Sequence, residues 1–328
     1  MSKVDFIHCT ACVNPIYSLF DNDEVKAILS NCSIEKTIWR DDIKSERSLC
    51  LKTDNPKDPS DIIATFDLNP QSFEEKFKKA AIEGDGQEFR RIRTLHSSSL
   101  ICLLCFYGIS EQKPLYLNLD GHDIKFTESL FEVKNPIGNH EEGKPSNIDV
   151  VLSGKDIITG KKAVLFLESK FSEYLSWGKH SKISDQVYGN TYKELINGGT
   201  LERMKLKYGP MKDEQLYYEL TSNKGRTYHY AGGIKQMISH FLGVKTVSGN
   251  AEYTDCDIYL GEILFKFEDS IDAKQRKFND YAELYKILSE GLNTISESRF
   301  KVVSQILTYQ EVFRDYELDN AVRTFYSL

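Results

Sequence analysis

Residues 163–171 read Ala163-Val164-Leu165-Phe166-Leu167-Glu168-Ser169-Lys170-Phe171. Five consecutive apolar positions without alternation are the pattern of a central strand covered on both faces. The charges arrive only where that strand should end. Side chains alternate along a strand, so Glu168 and Lys170 share a face while Ser169 turns away. The Glu-x-Lys triplet alone is uninformative, because it occurs six times, at Glu24, Glu74, Glu111, Glu132, Glu142 and Glu168. What sets the last one apart is the apolar run in front of it. The triplet of Glu132 and Lys134, in Ser129-Leu-Phe-Glu-Val-Lys134, is a rival on an equally strand-like segment, which an edge strand with one solvated face would also produce.

Working outward, Phe126 to Val133 and Asn147-Ile-Asp-Val-Val-Leu152 are further strands by their β-branched and aromatic content, separated by turn residues. Three strands in succession imply a meander. Neighbouring strands could then bring Asp149, Glu168 and Lys170 to one point. Two buried carboxylates desolvate and repel each other, and a hard divalent cation relieves both costs. Mg²⁺ suits such a pair, since it takes one or two carboxylates together with waters and substrate phosphate. Lys170 would bind the phosphate or orient the attacking water. The alternative is a structural salt bridge in which Lys170 simply neutralises Glu168.

The rest of the chain reads as a frame around these strands. A helix is expected near Asp23 to Leu29, a turn at Asn55-Pro-Lys-Asp-Pro59, and a strand near Ile62 to Leu68. Gln71 to Ile82 is helical by pattern, Gly84-Asp-Gly86 breaks it, and Gln87 through Tyr107 supplies one or two helices ending at Gly108. After the meander come a polar, mostly helical stretch from His180 to Leu220, a helix from Gly232 to Leu242 and a strand from Asp257 to Phe267. A helix from Asp272 to Leu292, a strand from Lys301 to Leu307 and a terminal helix complete the chain. The fold class is α/β: helix, three-strand meander, helix, strand, with a mixed central sheet flanked by helices and additions at both ends. Residues 1–70 are expected as an N-terminal extension packed on or near the core, and residues 71–328 as the main domain.

Composition narrows the classes. The 328 residues are 28% charged with a net charge of −7, which excludes collagen, coiled coil and disorder. The longest nearly unbroken apolar run, Leu100 to Tyr107, is far short of the roughly 20 residues that span a bilayer. Met1 to Pro15 lacks the blocks of a secretory signal, so a cytoplasmic protein with no membrane partner is expected. Seven cysteines, an odd number, read as reduced thiols. Cys9 with Cys12 and Cys102 with Cys105 have the gap of a zinc ribbon, but Cys102 and Cys105 also read as small apolar residues of a buried helix. Charge is uneven, with 14 Lys and Arg against 8 Asp and Glu between residues 161 and 246, a local +6. That is either fluctuation along a charged surface or a basic face for an anionic ligand. His96, His180, His229 and His240 offer a general-base alternative, although none has a nucleophile at a recognisable spacing.

Gly143-Lys-Pro-Ser-Asn-Ile-Asp149 followed by Phe166-Leu-Glu-Ser-Lys-Phe171 resembles the Asp…Glu-x-Lys signature of the PD-(D/E)XK nuclease superfamily, in its restriction-endonuclease-like branch. Gln87-Glu-Phe89, Leu95-His-Ser-Ser-Ser-Leu100, Phe131-Glu132 and Tyr230-Ala-Gly-Gly-Ile-Lys-Gln236 look like segments of uncharacterised members of that branch. The likeness covers about residues 86 to 267, and Pro145 stands four residues before Asp149 rather than beside it.

The resemblance implies a Mg²⁺-dependent DNA endonuclease of restriction or defence type, with Mn²⁺ as a substitute metal. Asp149, Glu168, the carbonyl of Ser169 and, from the first core helix, Glu88 would ligate the metal, and Lys170 would assist the water. Gln236, Lys235, Lys179 and Lys182 would touch substrate. Lys179, Lys182, Arg203, Lys205, Lys207, Lys224 and Arg226, interleaved with Tyr188, Tyr192, Tyr208 and Tyr228, could track the backbone of duplex DNA. A homodimer would suit double-strand cleavage at a symmetric site. The alternatives are a catalytically silent nucleic-acid-binding protein of this fold and a nuclease acting on RNA or single strands.

Overall fold

The computed structural model describes residues 23–30, 34–38, 47–82, 92–95, 97–137, 145–171, 174, 181–182, 206–209, 215–221, 227–230, 233–267, 272–296 and 300–328. Ahead of the main sheet, α1 (Asp23–Ser30) buries Val25 and Leu29, four residues apart on one face. β1 (Ile34–Ile38) and β2 (Arg47–Leu51) pair antiparallel. The turn at Asn55 closes with the Asp58 N–H donating to the Asn55 carbonyl.

Beyond that turn the chain forms a helix, α2 (Ser60–Phe66), and not the strand expected over Ile62 to Leu68. Two β-branched isoleucines suggest a strand, but the flanking chemistry decides otherwise. The Asp58 carboxylate accepts the Ser60 N–H, which seats the first turn. Ile62 and Phe66, four apart, are buried, and Asp67 ends the helix in the left-handed region at φ 49°.

α3 (Pro70–Phe77) follows the expectation. Asn69 caps it by accepting from the Ser72 N–H, Pro70 opens it, and a π-helical turn over Lys78–Ile82 extends it. The Gly84 to Gly86 break lies outside the described residues. α4 (Ser98–Phe106) is apolar all round and buried at every position from Leu100 to Phe106.

Among the described residues the main sheet has seven strands. β3 (Leu115–Leu119) and β4 (His122–Asn135) form a hairpin, so the meander is one strand longer than expected. Its turn is Asp120-Gly121, with φ of 51° and 88°, the geometry a two-residue hairpin favours. β4 pairs with β5 (Ser146–Asp156) and β5 with β6 (Lys162–Lys170), all antiparallel. A bulge in β4 after Phe126 lets two backbones close in at Gly154, where a Cβ would lie 2.1 Å from the Lys125 carbonyl oxygen. β6 is buried at every residue after Lys162, as its unbroken apolar run requires.

Between residues 180 and 220 the described residues are strands and not the expected helix. β7 (Ser181–Lys182), β8 (Leu206–Gly209), β9 (Gln215–Thr221) and β10 (Thr227–Tyr230) make a second antiparallel sheet, with β9 paired to each of the others. The charge content suggests a helix, yet Leu216-Tyr-Tyr-Glu-Leu220 is rich in strand formers.

α5 (Ile234–Val247) then crosses over to β11 (Cys256–Leu264), which runs parallel to β6 with Glu262 level with Glu168. The core order of helix, three strands, helix, strand is thus α4, β4 to β6, α5 and β11. α6 (Asp272–Asn293) comes next, then the short strands β12 (Lys301–Val302) and β13 (Leu307–Thr308), both parallel to β11. α7 (Tyr309–Val312) and α8 (Asn320–Tyr326) end the chain. Tyr326 joins Phe171 and Phe265 in an aromatic cluster below the ends of β6 and β11. No helix among the described residues is long and apolar enough to cross a membrane.

Candidate active site

The β5–β6 ladder ends at Val150 opposite Leu167, and the next step would set Asp149 opposite Glu168. There the pairing changes partners. The Ser169 N–H donates to Asp149 Oδ2 at 2.7 Å, while β6 continues its pairing with β11 through Leu264. β6 therefore stays paired with β11 and β5 with β4 as the two strands part, and both carboxylates stand at the point of divergence. Ser169 is itself held, since its hydroxyl donates to the Ser98 carbonyl at 3.0 Å and lies 2.7 Å from the Tyr309 hydroxyl.

Glu168 and Lys170 share a face, as alternation predicts, and they meet α5. Lys170 Nζ donates to Glu168 Oε1 and, at 2.8 Å, to Gln236 Oε1. Gln236 Nε2 returns a bond to Glu168 Oε1 at 2.9 Å, which closes a three-residue ring. The other carboxylate oxygen, Oε2, lies 2.7 Å from His240 Nε2. Gln236 and His240 are four residues apart, so one helix face delivers both. Glu168, Lys170 and His240 are buried at 3 to 4% exposure, whereas Gln236 is exposed and forms the solvent side of the ring.

Two glycines bring α5 this close. Gly233, at φ 75°, precedes the helix where a Cβ would sit 2.3 Å from the Tyr281 hydroxyl. Gly243 faces Ser146 and Asn135, whose Cβ atoms would be 2.9 and 3.0 Å from its own.

The surroundings push the two carboxyl groups in opposite directions. Burial pushes Asp149 well above the usual carboxylate range, and the neighbouring Glu168 and Glu132 add to it against the pull of Lys170 and the Ser169 N–H. Burial also pushes Glu168 upward, but Lys170 and His240 beside it outweigh that and hold it down at about 2. One carboxyl is thus stabilised as an anion and the other is not, a division typical of sites where acid groups take different tasks.

Glu132 belongs to this neighbourhood. It falls between the Phe131–Val150 and Val133–Ile148 pairs, level with Asp149, and its backbone is left-handed at φ 51°. It lines a small cavity with Asp149, Cys102 and Ser99, and its Oε2 accepts from Asn147 Nδ2 at 3.1 Å. The rival triplet is therefore a neighbour of the same site. Cys102 and Cys105 are buried thiols of α4, pushed well up by burial.

Among the described residues no three His, Cys, Asp or Glu side chains stand together as a metal cluster. Two carboxylates are nevertheless the usual protein share of a Mg²⁺ site. A cation beside Asp149 would offset the cost that burial and the neighbouring Glu168 and Glu132 put on its ionised form. The donor set fits a hard oxygen-binding ion and does not fit zinc.

Several expected residues fall elsewhere. Glu88, Lys179, His96, His180, Arg203, Lys205, Lys224, Arg226, Tyr188, Tyr192, Cys9 and Cys12 lie outside the described residues. Lys182, Lys207, Tyr208, Tyr228 and His229 lie on the strands of the second sheet, and Lys235 in the first turn of α5, with only their backbones described. Ser146, and His240 as a partner of Glu168, are the site residues that sequence reasoning missed. Their one available signal was the spacing of four from Gln236 to His240.

A family model described as Restriction Endonuclease associating with ARP matches residues 32–304. No curated protein and no solved structure matches the chain.

Proposed function

This chain belongs to the family described as Restriction Endonuclease associating with ARP, and from its site we propose that it is a Mg²⁺-dependent endonuclease of the PD-(D/E)XK type that hydrolyses phosphodiester bonds of DNA. The observation that carries the reading is the meeting of Asp149, Glu168 and Lys170 where β5 and β6 part, with the Ser169 N–H on Asp149.

Asp149 and Glu168 would hold the metal. The bound ion would stabilise charge growing on the phosphoryl oxygens and lower the pKa of a bound water. Lys170 Nζ, oriented by Glu168 and Gln236, offers its donors to a phosphoryl oxygen or to the attacking water. Gln236, on the exposed side, would meet the substrate first. Ser169 anchors the Asp149 carboxylate through its amide, and Tyr309 and Ser98 anchor Ser169.

One observation favours a second reading, a catalytically silent nucleic-acid-binding protein. Glu168 is contacted on both oxygens, by Lys170 and Gln236 on one and His240 on the other, as a purely structural ion pair would be. Supercoiled plasmid, linear duplex, single-stranded DNA and RNA incubated with Mg²⁺ separate the readings. The nuclease reading expects duplex cleavage that chelation abolishes and that Glu168→Gln lacks. Salt-sensitive retention of DNA without cleavage supports the silent protein, and cleavage confined to RNA or single strands moves the substrate class.

A further inference from the structure

His240 is buried at 3% exposure among Met237, Phe241 and Val244, positions that an apolar residue would fill without cost. Both of its ring nitrogens instead meet polar groups. Nε2 lies 2.7 Å from Glu168 Oε2, and Nδ1 lies 2.6 Å from Ser146 Oγ. Ser146 opens β5, three residues before Asp149, and Gly243 allows α5 to settle against it. The imidazole thus links the start of the strand that carries Asp149 to the end of the strand that carries Glu168.

We propose that His240 is a positioning residue for Glu168, held in turn by Ser146; this rests on the nuclease reading above. Lys170 and Gln236 hold one carboxylate oxygen by hydrogen bonds and the close His240 contact stands against the other, so rotation of the carboxylate about its terminal bond is restrained. Its remaining lone pairs then keep one direction beside Asp149. Without His240 that rotation returns, and a bound cation has to order the carboxylate at the expense of its own affinity. Hydrogen-bonded supports of metal-ligating carboxylates are typically worth about 10- to 100-fold in metal affinity or activity.

The test uses the full chain as wild type, His240→Ala, His240→Gln and Ser146→Ala. Mg²⁺ affinity is measured by calorimetry, the Mg²⁺ concentration for half-maximal plasmid nicking and the saturating rate by gel, and folding by thermal melt. His240→Ala is expected to lose about 10- to 100-fold in Mg²⁺ affinity and to shift the half-maximal concentration equally, with the saturating rate nearly retained. His240→Gln, which keeps a polar group beside Glu168, is expected to recover most of the loss, and Ser146→Ala to fall between. Should His240→Ala not fold, the Gln and Ser146 variants carry the same comparison. Wild type that binds Mg²⁺ beside variants that bind it equally well overturns this inference alone. Wild type that binds no Mg²⁺ overturns the nuclease reading and this inference together.

Discussion

The Ser169 N–H donates to the Asp149 carboxylate across 2.7 Å at the step where the β5–β6 ladder ends. A side chain here takes the hydrogen bond that the neighbouring strand would have accepted. β6 loses a strand partner without leaving a buried amide orphaned, and Asp149 is fixed beside Glu168.

Asp149→Asn separates this structural task from the chemical one. Asparagine keeps an acceptor for the Ser169 N–H and removes a carboxyl that burial pushes well above its ordinary range. A raised folded value means that the native state holds the proton more tightly than the unfolded chain. Wild-type stability should then fall as pH rises from the ordinary carboxylate range through the raised value, and the variant should lack that slope. Urea midpoints across neutral pH should show the variant as stable as wild type or more so by about 1 kcal/mol, without nicking activity.

Gln236 reports on the ring from its solvent side. Gln236→Ala removes one acceptor from Lys170 and one donor from Glu168. Because Gln236 is exposed, the melting temperature should hardly change, while plasmid nicking should slow by about tenfold. An unchanged rate would mean that the ring does not orient Lys170.

Arg93 clamps the turn at Asn55 and the start of α2. Its guanidinium forks onto Asp61, with Nε to Oδ2 at 2.7 Å and Nη2 to Oδ1 at 2.9 Å, and also donates to the carbonyls of Pro56 and Asp58. Arg93→Ala should cost about 3–5 kcal/mol in urea unfolding, because Asp61 and the carbonyls lose a buried cation. Lysine lacks the fork and should rescue little. Adding Asp61→Ala to Arg93→Ala should cost less than the two single losses summed.

Asp156 governs acid stability at the β5–β6 turn. The Thr159 amide foremost, with His122 and the Ile158 amide, holds its carboxyl down at about 2 against the opposing effect of burial. A depressed folded value means that its stabilisation is complete above the ordinary carboxylate range and is lost as pH falls towards 2. Asp156→Asn should flatten the acid limb of a stability profile followed by circular dichroism.

Much of this architecture was legible because it rests on uninterrupted patterns. The apolar run before Glu168 marked β6, the run around Asp149 marked β5, and both carboxylates stood where those runs met charge. α5 and β11 were legible for the same reason. The strand expected over Ile62 to Leu68 failed because its β-branched content favours extended chain, whereas the Asp58 start signal and the Ile62–Phe66 spacing favour the helix and prevail. β3 carried a usable sign in Asp120-Gly121. The second sheet was hidden because its charge pattern suggests a helix while its tyrosines suit strands. His240 had no local sign of its function, since Ser146 and Glu168 reach it only through tertiary packing. The left-handed backbone at Glu132, a residue type that rarely adopts it, was equally beyond local rules.

Calorimetric titration of Mg²⁺ into wild type, Asp149→Ala and Glu168→Ala, with plasmid nicking followed on the same samples, decides whether Asp149 and Glu168 hold a divalent metal for phosphodiester hydrolysis. Wild type is expected to bind Mg²⁺ and nick plasmid, with both lost in each variant that remains folded. Wild type that neither binds Mg²⁺ nor nicks plasmid while retaining DNA in a salt-dependent way would contradict it, and would leave Glu168 and Lys170 as a structural ion pair.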